Sequence, residues 1–330
     1  MEGKICRLGK AKRAQQAIRC WARFALPSLR MLFVLALLAP AAHAFTPKAE
    51  PVVDNVYALV GPLGQRSQDN DGSNANFGFI VTPQGVILID SGASKLGAEK
   101  IAAAIAQVTK QPVRWVINTG SQDHRWLGND TFASQGAKIY ALKRTAATQA
   151  EFAGQHMQML AGFLGARLDG TKPLPATTLL DGNEATLELG GETLTLRHTD
   201  AHFPGDAWVW LPKRNVMFSG DLVYVDRILG VLPWSSVKNG QKAFHALETL
   251  NPKHIVPGHG GVCDLAKAKR DSGDYEDFLA NVIGVAAKDM EPLDATLNKY
   301  AELPQFKHLY NFSDLHRANM NRAFVEFEAN

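Results

Sequence analysis

Phe218-Ser219-Gly220-Asp221 follows a predicted strand, and two other segments of the chain have the same design. These are Ala201-His202-Phe203-Pro204-Gly205-Asp206 and Val256-Pro257-Gly258-His259-Gly260. Each places an imidazole or a carboxylate on a glycine-containing turn just after or between strands, because glycine lets the backbone bend tightly at the edge of a sheet. Neutral imidazole and carboxylate are the usual ligands of zinc, manganese and iron. The three turns therefore predict a metal site at one edge of a sheet.

The segments around these turns alternate between two periodicities. Runs rich in β-branched and apolar residues predict strands at 52–60, 76–82, 86–90, 113–118, 138–142, 184–189, 192–198, 207–211, 216–219 and 253–256. Helical patterns cover 94–108, 144–164, 238–250 and 313–327, the first with Ser94 as its N-cap. Strands in runs, with helices between and after them, predict the α/β class with helix–sheet–sheet–helix layering.

Two long segments carry no regular pattern. Residues 61–75 are polar and rich in Gly, Ser, Asn and Asp, and residues 222–236 mix apolar and charged side chains around Pro233. Loops of this length in a compact domain are often functional, although a mobile surface connection has the same composition. We expect Trp234 to overhang the site, since its loop follows Asp221.

The turns, taken with Asp90-Ser91-Gly92, form an ordered set that resembles successive motifs of the metallo-β-lactamase superfamily. The resemblance runs from about residue 55 to residue 326 and implies a four-layer αββα sandwich in one domain, residues 45–330. Within the superfamily, residues 226–231 and the loop 70–79 are most similar to periplasmic members associated with sulfur-oxidation and quinoprotein systems. That similarity implies a periplasmic redox-system partner.

The family's main metal-binding motif, Thr-His-x-His-x-Asp-His, is degenerate in this chain. Residues 118–126 read Asn-Thr-Gly-Ser-Gln-Asp-His-Arg-Trp. Aligned without a gap, the two leading histidines become Gly120 and Gln122, the aspartate becomes His124 and the last histidine becomes Arg125. An alignment shifted by one residue instead makes Asp123 and His124 the family's Asp-His pair, at the cost of an insertion before Leu127.

The resemblance implies a metal site with at most one ion, most simply zinc. Four donors remain, namely His124, His202, Asp221 and His259, and they form one tetrahedral site if they converge. Arg125 carries a permanent positive charge where a ligand is expected, and that charge repels a divalent cation. If Arg125 pairs with Asp221 and fills the space, no metal binds at all.

Besides metal binding, we expect a proton-transfer role and several supporting roles around the site. We expect His124 or Asp123 to act as a general base. Residues that support the site or contact a ligand are expected to be Asp90, Gln122, Arg125 and Trp234.

The leading functional hypothesis is a hydrolase whose metal-activated water attacks an ester, thioester, lactone or amide carbonyl of a small-molecule substrate. The alternative is a non-catalytic protein that binds a small anionic ligand, with Arg125 as the acid-binding group, or that docks to a redox-system partner.

The first 44 residues differ in composition from the rest. They combine eight basic residues and one acid with a short apolar run that ends in Ala42-His43-Ala44, which is typical of a secretory signal peptide, residues 1–44. A membrane anchor is the alternative, but about nine apolar residues cannot cross a bilayer that needs ~20. We therefore expect a periplasmic or secreted protein with no membrane insertion after removal of the leader.

Without residues 1–44, the charge balance and the cysteine content of the chain change. Of 35 basic and 32 acidic residues, eight and one lie in residues 1–44, so residues 45–330 carry a net charge of −4. This balance argues against nucleic-acid binding. Cys263 alone remains after position 44, so no internal disulfide is expected, and an inert buried thiol is the simplest role for it.

Overall fold

The computed structural model describes residues 45–329, and their apolar strands pair into two mixed sheets. The first sheet has seven strands in sequential order, β1 to β7. Their bounds are β1 Ala49–Val53, β2 Val56–Leu59, β3 Phe77–Thr82, β4 Gly85–Ile89, β5 Val113–Ile117, β6 Lys138–Leu142 and β7 Thr178–Leu180. Neighbouring strands are antiparallel from β1 to β4 and parallel from β4 to β7.

The second sheet has five strands in the order β12-β11-β10-β9-β8. The bounds are β8 Glu184–Leu189, β9 Glu192–His198, β10 Ala207–Leu211, β11 Val216–Phe218 and β12 His254–Val256. β11 and β12 run parallel, whereas the other pairs are antiparallel. The carboxyl ends of β11 and β12 therefore meet at one edge, where the turns that carry Asp221 and His259 begin.

Helices cover the outer faces of both sheets. They are α1 Lys95–Val108, α2 Asp123–Trp126, α3 Asn129–Ala133, α4 Lys143–Leu164, α5 Val237–Leu250, α6 Leu265–Ala268, α7 Asp274–Phe278, α8 Gly284–Lys288, α9 Leu293–Lys299 and α10 Phe312–Glu328. Short 3₁₀ turns lie at Gly165–Leu168 and Gly220–Leu222, and π turns at Lys269–Gly273 and Leu279–Ile283 join α6, α7 and α8.

Three apolar layers hold this arrangement together. Ile80 and Ile87 of the first sheet pack against Leu196 and Val209 of the second. Ile101 of α1 belongs to the core on the outer face of the first sheet. The outer face of the second sheet packs against Phe244 and Leu247 of α5. The predicted αββα sandwich in the α/β class is therefore confirmed.

Most predicted elements match the structure within a residue or two; the differences are a hairpin at residues 52–60 and three short elements that were not predicted, namely α2, α3 and β7. Residues 52–60 do not form one strand, because the chain turns at Asp54 and Asn55 to make the β1–β2 hairpin, and Asn55 adopts a left-handed backbone with φ +63°. β7 was not predicted, since three residues are too few to show a periodicity. Segments 61–75 and 222–236 contain neither strand nor α-helix, as expected.

Two further points concern the N-terminal leader and membrane-spanning helices. The predicted signal peptide, residues 1–44, lies outside the described residues. Between residues 45 and 329, no helix is long and apolar enough to cross a bilayer.

Candidate metal centre

Three strand ends deliver the central donors to one point. His124 lies on α2, which begins six residues after β5, Asp221 lies on the 3₁₀ turn after β11, and His259 follows β12. The backbones approach so closely that a Cβ on Gly258 would lie 2.4 Å from the carbonyl oxygen of Gly220. Glycine is therefore required at position 258, and its absence of a side chain brings Asp221 and His259 together.

His124, Asp221 and His259 form a compact donor set. One ligand atom from each lies within 4.8 Å of the other two, and all three side chains are buried. His124 Nε2 is 2.9 Å from Asp221 Oδ2, and His259 Nε2 is 3.2 Å from Asp221 Oδ1. The structure thus brings together three of the four predicted ligands.

His259 is held in one orientation with a free lone pair. Its Nδ1 lies 2.9 Å from the backbone carbonyl oxygen of Asn74, so this nitrogen carries the proton and donates it. Burial lowers the pKa of His259 to about 3, so the ring is neutral at pH 7. Its Nε2 lone pair therefore faces a carboxylate oxygen of Asp221, which also accepts, and a cation between them would relieve that repulsion.

His124 has the opposite arrangement. Arg66 NH2 lies 2.5 Å from both His124 Nδ1 and Asp123 Oδ1. Because a guanidinium only donates, Nδ1 of His124 accepts, and its Nε2 carries the proton that is donated to Asp221. Asp123 Oδ1 is also 3.2 Å from His124 Nδ1, so it can accept from that nitrogen if the proton moves there from Nε2.

Asp123 is placed for support and not for proton transfer. Its side chain is fully buried, and it does not line the cleft above the donor set. Although burial opposes ionisation, the charge of Arg66 and the hydrogen bond with His124 hold the pKa of Asp123 well below its usual value. The predicted role of Asp123 as a base has no geometric support, because so weak a base shielded from the cleft cannot reach a substrate.

Arg125 points inward and uses all of its donors. It donates from Nε and NH2 to the two oxygens of Asp221, at 3.1 and 2.5 Å, and from NH1 to Asp90 Oδ2 at 3.1 Å. The carbonyl oxygens of Asn76 and Gly258 accept its remaining two N–H groups, at 3.0 and 3.3 Å. A guanidinium has five N–H groups, so none is left for a ligand. The structure therefore gives no support to Arg125 as an acid-binding group.

The expected pairing of Arg125 with Asp221 is thus present, but it does not displace the histidines. Arg125 approaches the carboxylate while both imidazole Nε2 atoms reach the same oxygens. Although burial opposes ionisation, Arg125 and His124 hold the pKa of Asp221 well below its usual value. Asp90 lies behind Arg125, where it also accepts from Thr119 at 2.7 and 2.6 Å, which fits its expected supporting role.

His202, the fourth predicted ligand, lies beside the donor set and outside it. Its Nε2 is 3.2 Å from Gln122 Oε1 and 3.3 Å from the hydroxyl of Tyr224. Burial lowers the pKa of His202 to about 4, so it is neutral at pH 7. Tyr224 is 3.4 Å from Asp221 Oδ1, and burial raises its pKa well above the usual value. The amide oxygen of Gln122 only accepts, so Nε2 of His202 carries the proton of the neutral ring and donates it, while the hydroxyl of Tyr224 donates to Asp221 at the edge of the site.

Among residues 45–329, His202 belongs to no group of three potential metal ligands, so no second metal site lies around it. A Cβ on Gly120 would lie 2.7 Å from Asp206 Oδ1, so a side chain at this position would require that carboxyl group to move. In the ungapped alignment, Gly120 and Gln122 stand in place of the motif's two leading histidines. His202 therefore has neither of these imidazoles beside it. The geometry also favours that alignment, because His124 joins the donor set while Asp123 does not.

Segments 61–75 and 222–236 form the walls of a cleft of about 110 Å³ over the donor set. Gln122, His124, His202 and His259 line it, together with residues that sequence reasoning missed, namely Arg66, Tyr224 and Arg227. The only signal for these three was their position in long aperiodic loops. Trp234 does not line this cleft. It is 45% exposed and packs edge-on against Phe152 and Phe203.

Cys263 lies outside the site and is an unreactive thiol. It is a free, buried thiol, and burial raises its pKa to about 12. The thiolate is therefore negligible at neutral pH, as the sequence suggested.

The chain matches the model of the metallo-beta-lactamase superfamily over residues 70–259, more than half of its length. Metallo-beta-lactamase IND-1 of Chryseobacterium indologenes is 27% identical over 242 residues, covering 70% of this chain and 91% of that protein. A metallo-beta-lactamase from Pontibacter korlensis superposes with a TM-score of 0.55 at 21% identity, covering 70% of this chain and 99% of that one. The sec-alkylsulfatase Pisa1 from Pseudomonas sp. superposes with a TM-score of 0.65 at 17% identity, covering 84% and 50%. By its fold and this match, the chain belongs to the metallo-beta-lactamase superfamily.

Proposed function

We propose that this hydrolase-like protein is a metal-dependent hydrolase with a single ion, most simply zinc, held by His124, Asp221 and His259. The observation that carries the proposal is the convergence of these three buried donors, whose ligand atoms all lie within 4.8 Å of one another. The proposed substrates are small molecules with an ester, thioester, lactone or amide carbonyl.

The donor chemistry fits zinc. Two imidazoles and one carboxylate are a common ligand set for this ion, and three protein ligands leave a fourth position open. The lone pair of His259 and the oxygen of Asp221 face each other as two acceptors, an arrangement that a cation stabilises. To join them, His124 must move its proton from Nε2 to Nδ1, where Asp123 Oδ1 is placed to accept it once the NH2 group of Arg66 turns away.

A bound zinc ion would act as a Lewis acid and lower the pKa of a bound water. The chain's own residues supply the proton transfers. His202 is neutral and lines the cleft, so once its proton lies on Nδ1 the lone pair of Nε2 can take the proton of the attacking water. Tyr224 keeps its proton, because burial and the nearby Asp221 raise its pKa. If this hydroxyl turns from Asp221 into the cleft, it can donate a hydrogen bond to the oxygen that gains negative charge.

The competing proposal is a binding protein without catalysis. It relied on Arg125 as the anion-binding group, and the five hydrogen bonds of that side chain leave it no donor for a ligand. Export to the periplasm and a redox-system partner remain predictions, since both depend on the sequence alone.

The test combines metal analysis with a hydrolysis screen. The purified protein, loaded with zinc and freed of excess, is assayed for bound metal and for cleavage of ester, thioester, lactone and amide substrates. We expect about one zinc per chain and hydrolysis of at least one class, with both lost in His259→Ala. His245→Ala is the matched control, because that histidine is half-exposed and pairs with Asp277 on α7. Zinc bound equally by His259→Ala, or full hydrolysis without metal, would contradict the proposal.

A further inference from the structure

Arg66 extends from the loop of residues 61–75 to the first turn of α2. Its NH2 group lies 2.5 Å from both His124 Nδ1 and Asp123 Oδ1, so its two N–H bonds have two acceptors within reach. The side chain of Arg66 is 13% exposed and lines the cleft above the donor set. Between residues 45 and 329, the carboxylate of Asp123 is the only one within 4.0 Å of this guanidinium. The contact with α2 therefore holds Arg66 in the cleft.

This contact determines where His124 carries its proton. A guanidinium only donates, so Nδ1 of His124 accepts from Arg66, and the proton of the neutral ring lies on Nε2. Nε2 donates to Asp221 Oδ2 at 2.9 Å. The nitrogen that faces the donor set therefore has no lone pair to offer a cation.

Metal binding by His124 requires the opposite arrangement. A cation at Nε2 uses the lone pair of that nitrogen, so the proton of the ring must lie on Nδ1. A proton there would face the N–H bonds of Arg66 NH2 at 2.5 Å, where two donors repel each other. Asp123 Oδ1, 3.2 Å from Nδ1, is the acceptor that remains when Arg66 withdraws. The present position of Arg66 and a metal ion on Nε2 thus exclude each other.

The charges around Asp123 favour the same exchange. Asp123 is fully buried, and although burial opposes its ionisation, the charge of Arg66 holds its pKa well below the usual value. A buried carboxylate needs a positive partner or a strong donor. Arg66 is that partner in the structure, and an imidazole that binds a cation through Nε2 and donates from Nδ1 can replace it. Both cations at once would repel each other across the ring of His124.

We propose that Arg66 competes with the metal ion for His124. While Arg66 contacts His124 and Asp123, it holds the imidazole in the tautomer that cannot bind a metal, and it leaves both side chains when a metal binds. Arg66 is thus a positioning residue that acts on the metal centre through His124. Its control of the tautomer stands on the contacts of Arg66 alone, whereas the competition with metal rests on the proposed function.

The first measurement locates the proton of His124 in the absence of metal. Protein labelled with ¹⁵N-histidine is treated with EDTA, and long-range ¹H–¹⁵N NMR spectra distinguish the protonated from the unprotonated nitrogen of each ring. The signals of His124 are identified by their loss in His124→Gln. The variant Arg66→Met keeps a side chain of similar length without a donor. Arg227→Met is the matched control, because Arg227 lines the same cleft but donates to the carbonyl oxygen of Leu63.

We expect the proton of His124 on Nε2 in the wild type and in Arg227→Met. In Arg66→Met it should move to Nδ1, where Asp123 accepts it. A proton on Nδ1 in the metal-free wild type would refute the proposal, and this result does not depend on whether Arg66→Met folds. The same tautomer in the wild type and in Arg66→Met would also refute it.

The second measurement is the affinity for zinc, determined by competition with a chromophoric chelator. Arg66→Met lacks the competing arrangement, so it should bind zinc about tenfold more tightly than the wild type, whereas Arg227→Met should change the affinity less. Equal gains in both variants would attribute the effect to charge alone and overturn the competition, as would an unchanged affinity of Arg66→Met. If no variant binds zinc, the proposed function and the competition fail together, and the NMR spectra still decide whether Arg66 sets the tautomer of His124.

Discussion

At the scale of single residues, Arg125 determines the character of the site. It stands where the family motif has a histidine, yet it adds positive charge without excluding the remaining donors. Its five hydrogen bonds tie Asp221 and Asp90 to the backbone of two loops. Arg125 therefore supports the carboxylate of Asp221 from behind, as a brace. It fixes this group so that one oxygen faces His124 and the other faces His259.

This role predicts a large loss of stability in Arg125→Lys. Lysine keeps the charge but cannot make the paired contacts with Asp221 or reach all five acceptors, so buried oxygens lose their partners. We expect the free energy of unfolding to fall by about 2–3 kcal/mol, measured by urea denaturation. Arg114→Lys, at an exposed position, should change it little. Equal stability of the Arg125→Lys variant and the wild type would show that the brace contributes nothing.

His202 provides a second test at this scale. As the proposed base, it should be replaceable by alanine without loss of zinc, while the rate falls by about 10²–10⁴. Since the pKa of His202 is lowered to about 4, the wild-type rate should decline only as the pH falls through that value and not near 6.5. Metal analysis and a pH–rate profile check both points. Loss of zinc in His202→Ala would instead indicate that His202 is a metal ligand, as the sequence first suggested.

The sequence predicted the members of the site better than their roles. His124, Asp221 and His259 follow from their turns, because glycine-bounded strand ends bring side chains to one edge. The separation of His202 from this set depends on how far its turn lies from the others, which no local pattern encodes. Arg66 and Arg227 were missed because aperiodic loops give no signal for the direction of a side chain.

At the scale of secondary structure, the N-terminus of α1 links the first sheet to the cleft wall. Ser94 Oγ accepts from the backbone N–H of Gly97 at 3.0 Å and donates to the carbonyl oxygen of Asp71 at 3.1 Å. Ser94→Ala removes both bonds and should lower the free energy of unfolding by about 1 kcal/mol. Chemical denaturation measures this, with Ser134→Ala as an exposed control. If both substitutions had the same small effect, the N-cap would not contribute to stability.

α7 carries a buried acid that makes stability depend on pH. Glu276 is 7% exposed and its Oε2 has no hydrogen-bond partner, while Gly240 of α5 leaves room for it. Burial, together with Glu326 and Asp277, raises the pKa of Glu276 to about 8. The unfolded chain ionises near 4.5 and the folded chain near 8, so the folded state binds more protons between these values. Stability is therefore lost as the pH rises through this window.

Glu276→Gln removes that titration. We expect the variant to be more stable than the wild type by about 1–3 kcal/mol at pH 8. At pH 4 the two proteins should differ little, because Glu276 of the wild type is then mostly protonated in the folded and in the unfolded chain. Thermal unfolding across this pH range provides the measurement. A difference that does not change with pH would mean that Glu276 keeps an ordinary pKa.

The elements themselves were largely predictable, because long amphipathic helices and alternating strands show their period directly. α1 and α4 and strands β8, β9 and β10 match within a residue. The β1–β2 turn was not recognised, since Asp54 and Asn55 interrupt an otherwise strand-like run without glycine or proline. β7 owes its existence to pairing with β6, which is a tertiary effect.

At the scale of the whole molecule, the αββα sandwich brings side chains distant in the sequence to one edge. His124 follows a strand of the first sheet, whereas Asp221 and His259 follow strands of the second, so the donor set joins the two halves. The layering could be predicted from the order of strands and helices. The cleft could not, because its walls are two loops without a periodic pattern, and the path of the second, residues 222–236, depends on packing against the C-terminal helices.

The most direct test of the account is X-ray absorption spectroscopy of the zinc-loaded protein, combined with its metal stoichiometry. The account predicts about one zinc per chain, bound by two imidazole nitrogens and by carboxylate or water oxygens at about 2.0–2.2 Å. Two ions per chain, or one ion without imidazole ligands, would contradict it.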